Sequence, residues 1–207
     1  MRGFRPEDGA GFVALLDPTE RVVLLDVVDE VLALVGADAP GGGIPEDVPD
    51  DPLASVRVSQ GPVTPPWDPA LRRLLPDASR EDTELAAEFR RLTEADLRVT
   101  KHRNLLRLRA ALEGARPELV VVASEAEQVA AALTDLRLVA SERLGVRTDA
   151  DADALYDLVG REHDDDPDDS EVSQRFLATV YVVLSLLQES LVDLMLAGLT
   201  EGTAPPP

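Results

Sequence analysis

The stretch from Phe89 to Leu112, "FRRLTEADLRVTKHRNLLRLRAAL", constrains the fold more than any other part of the chain. Read as a helix at about 100° per residue, it places its apolar side chains on two lines rather than one. Leu85, Phe89, Leu92, Val99, Leu106 and Ala110 form the first line, and Leu97, Leu105, Leu108 and Leu112 form the second. A helix with two apolar lines packs on two sides, so this one is predicted to lie at the centre of a helical domain. Its charge is equally constraining. Arg90, Arg91, Arg98, Lys101, Arg103, Arg107 and Arg109 face only two acids, Glu94 and Asp96, in a chain whose net charge is -20. A duplex-reading helix would gather its bases into one exposed stripe. Here Arg91, Arg98 and Arg109 fall beside the second line, Arg90 and Lys101 within it, and Arg103 and Arg107 on the flank of the first. The expectation is that these cations meet the chain's own acids at the edges of helix contacts, with Asp135, Glu189 and Asp193 as partners.

The rest of the composition agrees with helix packing. Aromatic residues are 3 % of the chain while apolar residues are 44 %, so the core is aliphatic. At 207 residues the chain is long enough to bury one such core. The absence of cysteine excludes disulfides, thiolate nucleophiles and cysteine-ligated zinc. The N-terminus lacks the charge pattern and cleavage site of a signal peptide. The most apolar run, "FLATVYVVLSLL" from Phe176 to Leu187, is closed by Arg175 and by Gln188-Glu189. It falls short of the roughly 20 apolar residues that a spanning helix needs, so a buried core helix, no membrane contact and a cytoplasmic location are expected.

Asp-Pro pairs punctuate the chain, each an N-cap followed by a proline that presets helical φ. Asp17-Pro18 with Glu20 predicts a helix from Pro18 to about Val35. Asp51-Pro52 predicts a short helix at "PLASV", and Asp68-Pro69 another at "PALRRLL". Ser79 is expected to cap the long helix, which runs to about Glu113 with a potential break at Thr93. Ser124 and Glu127 form a capping-box pattern ahead of a helix that ends at Leu144-Gly145. Further helices cover about Asp151–Gly160 and Glu171–Leu199. Phe12–Leu16 and Leu119–Val122 are apolar, β-rich runs expected to pair as strands. The predicted fold is therefore mainly α, about six helices packed as one domain (1–199) with a small two-stranded β-sheet. Residues 36–50 and 163–169 are expected to be acidic loops, the first of them flexible, and 200–207 a disordered tail.

Chemical motifs are sparse. "DADAD" at 149–153 places acids as in the first half of a calcium loop, but Ala154 and Gly160 stand where glycine and a bidentate acid are needed. The acids suit a helix N-terminus instead. His163 beside Asp164, Asp165, Asp166, Asp168 and Asp169 lacks the supporting partners that fix metal ligands, and no phosphate-binding loop follows the glycines at 41–43. His102 stands alone among arginines, with no nucleophile elbow in the chain. No catalytic constellation, cofactor site or metal site is therefore predicted.

Six segments carry a family resemblance: "FVALLDPTE", "DPLASV", "DPALRRLLPDA", "EFRRLTEADLRVTKHRN", "LTDLRLVASERLGV" and "LSLLQESLV". In their order and spacing they resemble the actinobacterial domain-of-unknown-function family of the AosR-type, oxidation-sensing transcriptional regulators. The resemblance implies a cytoplasmic, mainly helical protein that acts in stress-linked gene regulation through contacts with the transcription machinery. A sigma factor or RNA polymerase is the partner it points to. The redox role in that family rests on a cysteine pair that this chain lacks, and "YVVLSLLQES" at 181–190 replaces a more aromatic segment. Within the resembling segments, Arg91, Arg98, Lys101, Asp135, Arg137, Gln188 and Glu189 are the candidate function-bearing residues. Their alternative role is an internal salt-bridge and hydrogen-bond network. The expected function is non-enzymatic regulation by protein contact. Direct DNA binding through Arg90–Arg109 and a structural homodimer paired through an apolar helix are the alternatives.

Overall fold

The computed structural model describes residues 2–7, 11–37, 63–160 and 168–201. Among them run three strands, β1 (Arg2–Glu7), β2 (Gly11–Leu15) and β3 (Glu118–Val121), and six α-helices. The helices are α1 (Pro18–Gly36), α2 (Pro69–Leu74), α3 (Thr83–Gly114), α4 (Ala126–Leu144), α5 (Asp149–Gly160) and α6 (Asp169–Glu201). The mainly α architecture matches the expectation, and the helix starts follow the capping chemistry. The Asp17 carboxylate accepts from the backbone N–H of Thr19 and Glu20, and the Glu20 carboxylate accepts from Asp17 N–H, which closes a capping box. Asp68 accepts from Ala70 and Leu71 at the start of α2. Thr148 and Asp151 exchange side-chain-to-backbone bonds at the start of α5, so the "DADAD" acids serve a helix N-terminus. Gly145 ends α4 at φ 72°, where Gly145 N–H donates to Glu142 O and Val146 N–H to Ser141 O.

Several expectations are corrected. The sheet has three strands, ordered β1-β2-β3 and antiparallel throughout, not two. β1, "RGFRPE", has no apolar alternation, and its Pro6 is tolerated because the strand is at an edge. What holds it is Phe4, 7 % exposed, together with a hydrogen bond from Phe4 N–H to Ser190 Oγ on α6. Gly11 enters β2 at φ 96°, and a Cβ there would lie 2.5 Å from Val121 O, so the β2–β3 contact requires glycine. Asp82, not Ser79, caps α3: Ser79 Oγ accepts from the N–H of Glu81 and Asp82 one turn earlier. α3 runs through Thr93 without a break, and the Thr93 hydroxyl donates to Phe89 O. Ser124 and Glu127 form no capping box, because Ala123–Glu125 takes a 3-10 turn ahead of α4 and the first turn has no side-chain cap. α6 starts at Asp169, inside the expected acidic loop, with Asp168 accepting from Glu171 N–H, and it continues to Glu201 inside the expected tail. The remainder of the 36–50 loop beyond Ala37, the "PLASV" helix and His163 with its following acids up to Pro167 lie outside the described residues.

One aliphatic core joins α1, α2, α3, α4 and α6 to the sheet, built on Val28, Val35, Leu74, Leu105, Leu119, Leu133, Leu184, Leu187 and Leu191. A smaller cluster, Ala140, Val146, Leu155, Ala178 and Tyr181, seats α5 against α4 and α6. α6 is also the one helix among the described residues long and apolar enough to cross a membrane by length and composition, with a window of mean hydropathy 1.7. In this fold one side of it is core.

Candidate functional site

The predicted two-sided packing of α3 does not hold: of its first apolar line only Val99 is buried, and the line is exposed in both halves of the helix. Leu105, Leu108 and Leu112 are buried, while Leu85, Phe89, Leu92 and Leu106 are 40–54 % exposed and Ala110 is exposed. Followed back toward the N-terminus, the buried face passes from Leu105 through Lys101 to Arg98, Glu94, Arg90 and Ala86. The last three steps are four residues each, so these side chains stack along one side of the helix. The inner face of the N-terminal half is thus charged and its outer face apolar, the reverse of ordinary amphipathic order.

The charged face is an ion-paired triad. Arg90 donates through Nη1 to Glu94 Oε2 (2.5 Å) and through Nη2 to Leu75 O (3.1 Å) and Asp77 Oδ1 (2.7 Å). Arg98 donates through Nε to the other Glu94 oxygen (2.9 Å) and through Nη1 to Val35 O (2.7 Å) and Ala37 O (2.9 Å). Side-chain exposure is 4 % for Arg90, 5 % for Glu94 and 3 % for Arg98. Burial works against the charge on Arg90, but Asp77 and Glu94 outweigh it and hold the guanidinium's pKa above its ordinary value. The carbonyl targets explain the arrangement. Val35 lies in the last turn of α1 and Leu75 is the C-cap of α2, so both carbonyls belong to helix ends that lack intrahelical donors. Two guanidiniums complete these ends, where cations are also favoured by the helix dipole, and Glu94 joins the two.

A second set ties α4 to its neighbours. Lys101 Nζ donates to Asp135 Oδ1 (2.6 Å) between α3 and α4. Burial pushes the Asp135 carboxyl pKa up, and Lys101 opposes that rise. Arg137 donates through Nη1 to Gln188 Oε1 (2.6 Å) and lies 5.4 Å from the Tyr181 ring centroid; Gln188 Nε2 donates to Thr134 Oγ1 (2.7 Å). Of the seven candidate residues, Arg98, Lys101 with Asp135, and Arg137 with Gln188 therefore enter internal contacts. The Arg91 guanidinium is bidentate to Glu88 one turn earlier on α3. Glu189 and Asp193 are exposed and form no ion pair among the described residues. Sequence reading missed Glu94 as the link and Arg90 as its partner. The signal was available in the Arg-x3-Glu-x3-Arg spacing, but a search for apolar lines passes over it.

At the α2–α4 contact, Arg143 Nη2 meets Asp68 Oδ2 at 2.7 Å, and Glu142 receives both Arg73 and Arg147. Arg143 and the two N-cap donors hold the Asp68 carboxyl below its usual pKa, against the effect of burial. A lowered carboxylate stabilises above its unfolded value of about 3.9 and loses that contribution as pH falls through the folded value. Asp68→Asn is therefore expected to be less stable than the parent chain at pH 7. The gap should narrow in urea melts as pH is lowered below about 4; a gap independent of pH would contradict the assignment.

Six of the seven cations between Arg90 and Arg109 thus meet carboxylates, the remaining two pairs being Arg107 with Glu125 and Arg109 with Asp29 and Glu113. His102, half-buried on the same helix, has its pKa pushed down by burial. Among the described residues, no three His, Asp or Glu side chains gather to hold a metal ion. What the helix does offer outward is Leu85, Phe89 and Leu92, with Glu84 and Glu88 exposed on the same half and Glu81 exposed just ahead of it.

A family model described as "Domain of unknown function (DUF2017)" matches residues 1–195. The chain belongs to the DUF2017 family. That span takes in the triad, the sheet and nearly all of α6, so in this DUF2017 chain the polar network lies wholly within the family's domain. No curated protein and no solved structure matches the chain.

Proposed function

We propose that this DUF2017 chain is a non-enzymatic regulatory or adaptor protein that works by protein contact in the cytoplasm, as its resemblance to the AosR-type stress regulators implies. The carrying observation is the inversion of the N-terminal half of α3, where Arg90 and Arg98 turn inward while Leu85, Phe89 and Leu92 face outward beside Glu81, Glu84 and Glu88. An apolar strip with an acidic rim fits an amphipathic partner helix whose flanks are basic. A sigma factor or RNA polymerase supplies such a partner in the transcription machinery. With no cysteine in the chain, the signal it answers is not thiol oxidation.

The reading has a direct test. Binding to purified RNA polymerase and sigma factors from the source organism is measured by fluorescence anisotropy at low and high salt. Binding is expected to weaken with salt, and Phe89→Glu is expected to weaken it about tenfold or more without lowering the melting temperature. No binding at micromolar concentrations, or binding indifferent to Phe89→Glu, contradicts it. The pairing of the α3 cations weighs against the alternative, direct duplex recognition. Retardation of DNA at low salt by micromolar protein would restore that alternative.

A further inference from the structure

α6 buries one side and leaves another uncovered. Ala178, Tyr181, Leu184, Leu187 and Leu191 are buried, whereas Val172 is 51 %, Phe176 53 % and Leu186 44 % exposed. Only 33 % of the helix's apolar window is buried in the fold. Val172, Phe176, Thr179, Val183, Leu186 and Ser190 are spaced 4, 3, 4, 3 and 4 apart, the alternation of a coiled-coil seam. Val183 is half-buried against the core and Ser190 accepts from Phe4 N–H of β1, so Val172, Phe176, Thr179 and Leu186 are its open members. No charged residue occurs between Arg175 and Glu189. β1 crosses the far end of the seam at Gly3, where a Cβ would come within 2.9 Å of Ser190 Oγ and 3.7 Å of Leu186 Cδ1. The strand therefore lies close against the helix and leaves Leu186 open.

We infer that this seam is the interface for a second copy of the chain, with the two α6 helices packed antiparallel about a two-fold axis. Reversing the helix about Tyr181 sets Phe176 opposite Leu186 of the other copy and Thr179 opposite Val183, with Val172 beside β1 where that strand covers Ser190, so the four central seam positions meet seam positions. The same register brings Arg175, whose Nη2 already donates to Leu158 O within its own chain, alongside Glu189 of the other copy, twice by symmetry, because both residues flank the same side of the seam. A parallel pairing gives neither cation this partner. Asp169 and Asp193 would meet as like charges beyond the ends of the seam, which confines the contact to Val172–Ser190. One helix pair over that length, about 27 Å, is a small interface, and two chains of net charge -20 repel each other. The dimer is accordingly weak and becomes stronger as salt screens that repulsion. This is the opposite salt response to that of a basic partner on α3.

Sedimentation velocity of the full chain from about 1 to 200 μM tests the inference. A concentration-dependent monomer–dimer equilibrium is expected. Phe176→Glu and Leu186→Glu should each shift it to monomer without lowering the melting temperature, while Phe89→Glu leaves it unchanged. The chain has no native cysteine, so mixed Thr179→Cys and Val183→Cys chains report the register: under mild oxidation they should form a covalent dimer faster than either variant alone. A strict monomer over the whole range overturns the inference, as does a dimer indifferent to both glutamate variants. Phe176-dependent sedimentation with phospholipid vesicles in place of self-association also overturns it, assigning the seam to a lipid surface.

Discussion

Glu94→Ala is expected to destabilise the fold by about 3–5 kcal/mol, the largest effect of any single substitution on α3. The carboxylate sits between two guanidiniums, each less than a twentieth exposed on its side chain. Among the described residues, removing it leaves Arg90 with the half-exposed Asp77 as its carboxylate and leaves Arg98 with none. For a chain of this size the loss corresponds to a fall of roughly 10 °C in melting temperature, measurable by calorimetry or circular dichroism. The sign is set by the uncompensated charges, not by lost volume. Replacing all three residues together with leucine or methionine of similar volume should recover much of the stability, because a well-packed apolar cluster does without the desolvation that a buried triad carries. A triple replacement as unstable as Glu94→Ala would show that the carbonyl bonds to α1 and α2 matter more than the charge balance.

Arg98→Ala is the second large effect, about 3 kcal/mol, and its origin is different. Here Glu94 keeps Arg90, but Val35 O and Ala37 O at the end of α1 lose their donor. The damage should be local to that end. Hydrogen exchange is expected to speed up most for amides in the last turns of α1, whereas Glu94→Ala should loosen the ends of both α1 and α2. Arg98→Lys should fall between parent and alanine, since an ammonium can meet Glu94 but cannot reach two carbonyls with the same planar fork. Arg91→Ala is the comparison: its bidentate bond is to the exposed Glu88 on its own helix, so its loss should lower the melting temperature far less than the loss of Arg98. If Arg98→Ala melts like Arg91→Ala, the guanidinium is not holding α1.

The pattern of what could be read from the residues follows from the range over which each interaction acts. Asp17-Pro18 with Glu20, Asp68-Pro69 and Leu144-Gly145 are local devices, whose partners lie within four residues, and each marks a helix end where expected. Ser79 and Ser124 show the limit of that logic, since a suitable donor-acceptor spacing does not say which of two adjacent caps the chain will use. β1 was not legible because nothing in "RGFRPE" favours a strand. It exists through pairing with β2 and through Ser190, a contact 186 residues away in sequence. The apolar lines of α3 misled for a related reason. They were assumed to pack because they are apolar, yet the neighbours of the N-terminal half are two helix C-termini, which require donors and not leucines. Arg98, Lys101 with Asp135, and Arg137 with Gln188 were found as candidates from the resembling segments. Glu94 was found only when the carbonyls around it were placed.

The buried cations of "FRRLTEADLRVTKHRNLLRLRAAL" are structural, and a double-mutant cycle between Glu94 and Arg98 tests that most directly. Urea unfolding of the parent, Glu94→Ala, Arg98→Ala and the double variant gives the coupling energy between the two side chains. A buried, hydrogen-bonded pair predicts a coupling of about 2 kcal/mol or more, with the double variant much less damaged than the sum of the singles. Additive effects, with a coupling below about 0.5 kcal/mol, would mean that Arg98 is not engaged with Glu94 and that the basic stretch is available to a ligand.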